Sequence, residues 1–159
     1  MTFDQNDFRQ SLGSFATGVT IVTGRNRGGD PVGATVSSFN SVSLDPPLIL
    51  FSLDYKSETL EPLKETGRCI VNVLSERQEQ LSNNFAKSGA VSWEGVDFET
   101  WDSGCPVLPG ALANFECSVF ATYPGGDHLI FVGQVERYET SGGGRPLLFY
   151  GGRYGRLAD

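Results

Sequence analysis

Leu112-Ala113-Asn114-Phe115-Glu116-Cys117-Ser118-Val119-Phe120-Ala121-Thr122-Tyr123 and Leu129-Ile130-Phe131-Val132-Gly133-Gln134-Val135-Glu136-Arg137-Tyr138 flank the turn sequence Pro124-Gly125-Gly126-Asp127-His128. Aromatic and β-branched residues on both sides of a Gly-rich break read as a hairpin, with His128 at the head of its second strand. Upstream, Leu48-Ile49-Leu50-Phe51-Ser52-Leu53 is a largely continuous apolar run, as expected of a strand buried on both faces, and Cys69 to Leu74 reads as another strand. Thr17 to Gly24 and Val32 to Phe39 are extended stretches joined by the hairpin connection Arg25-Asn26-Arg27-Gly28-Gly29-Asp30-Pro31, and a last strand is expected at Leu147 to Tyr150. Seven or so closely spaced strands, with no repeated alternation of strand and long helix, predict an antiparallel barrel with peripheral helices.

Three helices complete the expectation. Phe8, Leu12 and Phe15 fall at i, i+4 and i+7, with Asp4 or Thr2 as N-cap and Gly13 near the end. A second helix is expected within Ser57 to Thr66, with Thr59 as its cap because Pro62 then falls in the first turn. Ser75-Glu76-Arg77-Gln78 matches a capping box and opens a third, carrying Leu81 and Phe85 on one face. Residues 87–110 have no clear period, and Trp93 and Trp101 are expected to fold back onto the body.

The 159 residues fit a single domain spanning 1–159, and 20 glycines, roughly 13% against an average near 7%, suit many turns between short strands. The net charge of -7 disfavours a nucleic-acid surface, and no apolar run is long enough to span a bilayer. A soluble, cytoplasmic protein is expected. Cys69, Cys105 and Cys117 are odd in number and widely spaced, so they suggest small apolar residues rather than disulfides or a metal motif. With one histidine and no Cys pair, no metal site is expected, and neither phosphate-binding glycine fingerprint nor a Gly-x-Ser-x-Gly nucleophile elbow occurs.

The remaining chemistry is hydroxyl-rich. Ala34-Thr35-Val36-Ser37-Ser38-Phe39-Asn40-Ser41-Val42-Ser43 carries five hydroxyl side chains, which suit either the edge of a polar heterocycle or the plain satisfaction of a strand edge. Asp54-Tyr55-Lys56-Ser57-Glu58-Thr59 lies between a strand and a helix start, a place for an anion or for ordinary capping. His128 sits at an exposed rim beside Asp127, where it either serves a ligand or faces solvent. Arg153 and Tyr154 offer a cation and a stacking ring, or a surface contact; Phe85, Trp93 and Trp101 read as packing residues.

Taken together, Phe8-Arg9-x-x-Leu12-Gly13-x-Phe15-Ala16-Thr17-Gly18-Val19-Thr20-Ile21-Val22-Thr23 and Gly33-Ala34-Thr35-Val36-Ser37-Ser38-Phe39-Asn40-Ser41-Val42-Ser43-x-x-Pro46-Pro47-Leu48 resemble the short-chain flavin reductases, the reductase components of two-component flavin-dependent monooxygenases. Gly126-Asp127-His128-x-Ile130-x-x-Gly133-x-Val135 and Pro146-Leu147-Leu148-Phe149-Tyr150-x-Gly152-x-Tyr154 extend the resemblance over nearly the whole chain. The resemblance implies a mainly β, split β-barrel of the FMN-binding type, usually a homodimer. It implies FMN or FAD reduced by NADH or NADPH through hydride transfer, with reduced flavin passed to an oxygenase partner. By motif position, Ala34, Thr35, Val36, Ser37 and Ser38 would lie along the isoalloxazine ring. Ser52, Leu53, Lys56, Ser57 and Thr59 would serve the ribityl chain and phosphate, with Phe85, Arg153 and Tyr154 as further flavin contacts. The resemblance makes His128 the candidate for positioning the nicotinamide. A non-catalytic flavin-binding or storage protein is the alternative.

Overall fold

A computed structural model, describing residues 2–159, contains α1 (Gln5–Leu12), β1 (Thr17–Gly18), β2 (Thr20–Arg25), β3 (Pro31–Val36), β4 (Asn40–Leu44), β5 (Pro47–Asp54), α2 (Leu60–Thr66) and β6 (Arg68–Val73). After a 3-10 turn at Glu76–Gln78 come α3 (Glu79–Phe85), β7 (Glu99–Thr100), β8 (Pro106–Val107), β9 (Ala113–Gly125), β10 (His128–Thr140), β11 (Leu148–Tyr150) and β12 (Arg153–Gly155). Seven strands form one antiparallel sheet in the order β3-β2-β6-β9-β10-β5-β4. The expected hairpin of β9 and β10 pairs His128 with Gly125 at one end and Thr140 with Ala113 at the other. Register shifts between Val132 and Gly133 and between Val135 and Arg137 interrupt it, and such bulges bend a ribbon and increase its twist.

The sheet curls around a core of Val22, Ile49, Phe51, Leu53, Cys69, Val71, Cys117, Leu129 and Phe131, closed at one side by Leu60 and Leu63 of α2. Val32, Ala34 and Val36 of β3 pack against the same core as β5, yet β3 and β5 are not hydrogen-bonded neighbours. The barrel is therefore split along the seam between these two strands.

One expectation changes. The run Leu48 to Leu53 is buried on one face only: Ile49, Phe51 and Leu53 are buried, while Leu48, Leu50 and Ser52 are half-buried. An antiparallel sheet with no second layer over it leaves its outer face wet, so a continuous apolar run does not require two buried faces. Thr59 stands at the N-cap of α2, as expected. Thr59 makes no capping hydrogen bond through its side chain; instead its amide donates to the Ser57 hydroxyl at 3.3 Å, and the Leu60 amide donates to the Ser57 carbonyl at 3.2 Å. Pro62 still falls in the first turn, where its missing N–H costs nothing. The capping box at Ser75 forms as well, the Ser75 amide donating to Gln78 Oε1 at 3.0 Å, and it opens a 3-10 turn at Glu76–Gln78 that leads directly into α3.

Asp4 is the cap of α1, its carboxylate accepting the amides of Asn6 and Asp7. Phe8 and Leu12 of this helix, and Phe15 beyond its end, remain exposed, so its apolar stripe is not covered by the chain's own core. Residues 87–110 fold back as expected and are pinned from beneath. The Leu108 amide donates to Asn72 Oδ1 at 3.0 Å, and Asn72 Nδ2 donates to the Ile21 carbonyl at 2.9 Å. At the C-terminal end, β11 pairs with β1 and with β12, a strand too short to be read from pattern. All three cysteines are free and buried.

Candidate active site

A cleft of about 620 Å³ lies in the seam between β3 and β5. One wall is β3 and the two residues after it, where Ala34, Thr35, Val36, Ser37 and Ser38 all line the space. Facing them are Ser52 and Leu53 of β5 and the following turn with Lys56, Ser57 and Thr59. Phe85 at the end of α3 supplies a third side and His128 the fourth. The structure thus brings together twelve of the residues named from sequence. Arg153 and Tyr154 are not among the residues lining the cleft.

The hydroxyls divide into two groups. Thr35 Oγ1 donates to the Ser82 carbonyl at 2.7 Å, tying β3 to α3. Ser38 Oγ accepts the Ser52 amide at 2.9 Å and donates to the Ser52 carbonyl at 3.3 Å, tying the corner between β3 and β4 to β5. Both are committed to the frame. Ser37 and Ser52 line the same space with side-chain hydroxyls that have no protein partner among the described residues, so they remain available as neutral donors and acceptors.

At the β5–α2 turn, Asp54 shapes the backbone. Its carboxylate accepts the Lys56 amide at 2.8 Å and its carbonyl accepts the Ser57 amide at 2.9 Å. Lys56 therefore stands over a tight turn, and neither it nor Lys87, the other lysine lining the cleft, takes part in an ion pair among the described residues. Lysines without a carboxylate partner, beside the hydroxyls of Ser57 and Thr59, make a donor set suited to a phosphate.

His128 pairs with Asp54 across β10 and β5, which fixes it beside that turn. Its Nδ1 lies 2.7 Å from Asp127 Oδ1. The sequence offered no geometric partner for this imidazole; the structure supplies one in the preceding residue. The hydrogen bond from His128, reinforced by the imidazole's charge, holds the Asp127 carboxyl below the usual carboxylate range. A carboxylate against Nδ1 requires that nitrogen to carry the hydrogen, leaving Nε2 as the free ring atom. The Asp127 carbonyl also accepts the Tyr55 amide at 3.1 Å, so one residue braces both the histidine and the lysine turn.

Several cleft residues escaped the sequence reading. A Cβ at Gly33 would sit 2.7 and 2.9 Å from two carbons of the Phe85 ring, so β3 and α3 approach as closely as they do because residue 33 lacks one. A glycine inside a strand was the available signal. The segment Ala86 to Val91 and Trp93 also line the cleft, with no periodicity to announce it. Trp93 packs edge-on to Phe85 at 4.9 Å, so both aromatics are packing residues and wall residues together. Tyr154 lies behind this wall, its hydroxyl 2.6 Å from Ser82 Oγ and its ring edge-on to Phe149, while Arg153 is exposed. Among the described residues no cluster of three potential metal ligands occurs, and no helix is long and apolar enough to cross a membrane.

Residues 12–158 match the flavin reductase like domain. The chain is 44% identical over 155 residues to the FMN reductase (NADH) SmoA of Agrobacterium fabrum, covering 98% of this chain and 87% of that protein. It is 37% identical over 153 residues to HsaB of Mycobacterium tuberculosis, the reductase subunit of a flavin-dependent monooxygenase, covering 95% and 81% respectively. Identity with a probable flavin reductase of Rhizobium meliloti is 44% over 140 residues, 88% of this chain but only 45% of that longer protein. Among solved structures, the NADH:FAD oxidoreductase SgcE6 of Streptomyces globisporus, in complex with NAD and FAD fragments, matches with a TM-score of 0.91 at 36% identity, over 99% of this chain and 97% of that one.

Proposed function

The chain belongs to the flavin reductase like family, and from that premise we propose that it is an NAD(P)H:flavin oxidoreductase that reduces FMN or FAD and passes the reduced flavin to a monooxygenase acting on aromatic compounds. The observation that carries the reading is the convergence of the hydroxyl strand, the lysine turn and His128 on one cleft in the barrel seam.

The residues present fit a flavin nucleotide: free hydroxyls for the polar edge of a heterocycle, and two lysines free of carboxylate partners, with neighbouring hydroxyls, for phosphate. When bound, a reduced nicotinamide and an oxidised flavin supply the chemistry, a hydride passing from C4 of the one to N5 of the other. The protein's part is placement. In this reading Ser37 and Ser52 meet the ring system, with the backbone of Ala34 to Ser38 and Leu53 beside it. Lys56, Ser57 and Thr59 receive the phosphate, and Phe85 walls the ring side. Asp127 holds His128 so that Nε2 is presented to the nicotinamide carboxamide. Such a site needs no strong acid or base, since holding two reactants in register is itself a large part of the barrier reduction. Tyr154, bonded to Ser82, is assigned to support of α3 rather than to stacking on flavin.

The reading extends to the assembly. The uncovered Phe8, Leu12 and Phe15 favour a homodimer, and three free thiols favour a reducing, cytoplasmic setting for the single domain. Mixing the protein with excess FMN or FAD and with NADH or NADPH without oxygen tests the activity. Catalytic bleaching of excess flavin is expected; flavin binding without nicotinamide oxidation would instead mark a storage protein.

A further inference from the structure

Thr35 lines the cleft with a hydroxyl whose hydrogen is already placed. Its Oγ1 lies 2.7 Å from the Ser82 carbonyl, and a carbonyl can only accept, so the Thr35 hydrogen is committed to α3. That carbonyl is free to receive it because of how α3 ends. In a continued helix it would take the Ala86 amide; here the last turn tightens, and the Ala86 amide goes to the Asn83 carbonyl at 3.3 Å. Thr35 supplies the partner that the helix end does not.

The consequence is chemical. A hydroxyl carries one hydrogen and two lone pairs, so Thr35 is left as an acceptor only, and among the described residues nothing donates to its oxygen. The neighbouring hydroxyls differ. Ser37 and Ser52 can turn to donate or accept, while Ser38 has its hydrogen and one lone pair taken by the Ser52 backbone. One oxygen of fixed polarity thus stands among adaptable ones.

The Ser82 end of this bond is held from behind. Ser82 is fully buried, and its Oγ lies 2.6 Å from the Tyr154 hydroxyl. Tyr154 is itself fixed on β12, opposite Phe149 in the register and edge-on to that ring at 5.5 Å. Packing alone would be served by a phenylalanine; the hydroxyl serves Ser82. Because Tyr154 does not line the cleft, whatever it does for a ligand there it does through Ser82.

We propose that Tyr154 and Ser82 are positioning residues that hold the Thr35 oxygen as an obligate acceptor for a ring N–H of the flavin. The proposal rests on the flavin reductase reading and adds to that site a residue outside the cleft. An isoalloxazine ring offers such a hydrogen at N3 in both redox states and at N5 only after reduction. Opposite N5, the same oxygen would meet a lone pair in the oxidised flavin and a hydrogen in the reduced one, and so would favour the reduced form.

The test is a double-mutant cycle on the full chain, read by anaerobic titration of oxidised and reduced FMN, by the midpoint potential of bound flavin and by Tm. Thr35→Val removes the oxygen at nearly constant shape and weakens flavin binding about five- to tenfold, and Thr35→Ser restores it. Tyr154→Phe weakens the same constant about two- to fivefold in wild type and has no further effect in Thr35→Val, where nothing is left to position. Ser82→Ala repeats the result without touching the tyrosine. A loss confined to reduced flavin, with a potential about 30 mV more negative per tenfold, places the oxygen at N5. An equal loss in both redox states places it at N3, and N3-methylated FMN, which has no hydrogen there, then binds wild type and Thr35→Val alike. The proposal is overturned by flavin affinities that stay within about twofold in Thr35→Val, or by an equal loss that N3-methylated FMN suffers too. It is also overturned by equal effects of Tyr154→Phe in the two backgrounds, the result that a merely structural tyrosine gives whatever the change in Tm. Each of these leaves the reductase reading intact, whereas a wild-type protein that neither binds nor reduces flavin overturns both.

Discussion

The Ser38 hydroxyl holds both backbone polar groups of Ser52, accepting its amide at 2.9 Å and donating to its carbonyl at 3.3 Å. Ser38 stands where the chain turns from β3 into β4, and the pair continues the β4–β5 register that sets Asn40 opposite Leu50. A serine that sequence resemblance sets along a flavin ring therefore also anchors the β3–β4 corner to β5. Ser38→Ala should lower stability by about 1–2 kcal/mol, the cost of a lost pair of bonds in a partly wet site, and weaken flavin binding with it. Ser37→Ala, whose hydroxyl is free, should weaken flavin binding with no change in Tm. Thermal melts and flavin titrations on the two variants distinguish frame from contact.

His128 and Asp127 should separate binding from turnover. His128→Ala is expected to slow flavin reduction about tenfold while flavin affinity stays within about twofold. Asp127→Asn should raise the KM for NADH several-fold, because a carboxamide can turn its NH2 toward Nδ1 and so no longer dictates which ring nitrogen carries the hydrogen, as the acceptor-only carboxylate does. Stopped-flow reduction beside flavin titration decides it, and a parallel fall in flavin affinity would mean that His128 serves the flavin instead.

The same pair predicts a pH dependence. Asp127 has a lowered pKa, so its carboxylate is ionised and paired above the ordinary carboxylate range, and the pairing is lost only as pH falls through the lowered value. The difference in NADH KM between wild type and Asp127→Asn should therefore survive down to the ordinary carboxylate range, about pH 4, and disappear only below it. KM profiles of wild type and Asp127→Asn, subtracted, report it.

Gly33→Ala places a methyl group 2.7 and 2.9 Å from two carbons of the Phe85 ring. Overpacking of this kind costs roughly 1–3 kcal/mol, and here it should also push α3 away from β3 and loosen the cleft. Adding Phe85→Leu to Gly33→Ala should recover part of the loss in denaturant unfolding, which a purely conformational effect at residue 33 would not allow.

Asn72 is buried and serves four partners: the Ile21 carbonyl, Thr23 Oγ1, the Leu108 amide and the Asn114 side chain. Asn72→Ala leaves the Leu108 amide without its acceptor in the interior, at a cost of about 2–3 kcal/mol and roughly 5–10 °C in Tm. Hydrogen exchange should quicken first in residues 105–110.

Cys69 and Cys117 face each other on β6 and β9. The Cys69 thiol is pushed well up by its hydrogen bond with Cys117 and by burial, and burial also raises Cys105. None of the three should react with a thiol reagent in the native protein at neutral pH; reaction should track unfolding.

The sequence by itself determined the strands long enough to show a pattern, the hairpin with His128 at its head, the hydroxyl-rich stretch from Thr35, and the lysine turn before α2. Each is a local property, set by side-chain alternation, turn residues and the need to satisfy a helix start. Burial of only one face of β5 and the strand at Arg153–Gly155 were not legible, because they depend on what lies opposite or span too few residues to hold a period. The tertiary structure alone decided that β3 would meet β5 without pairing to it. That seam turns hydroxyls on one strand and a lysine turn some twenty residues later into two sides of one cleft. It also decided that Tyr154 would stand behind α3 while Lys87 and Trp93 stand in front of it. Sequence pattern records what each segment can bury or expose; which segments face each other follows from the sheet order and its curl, properties of the whole chain.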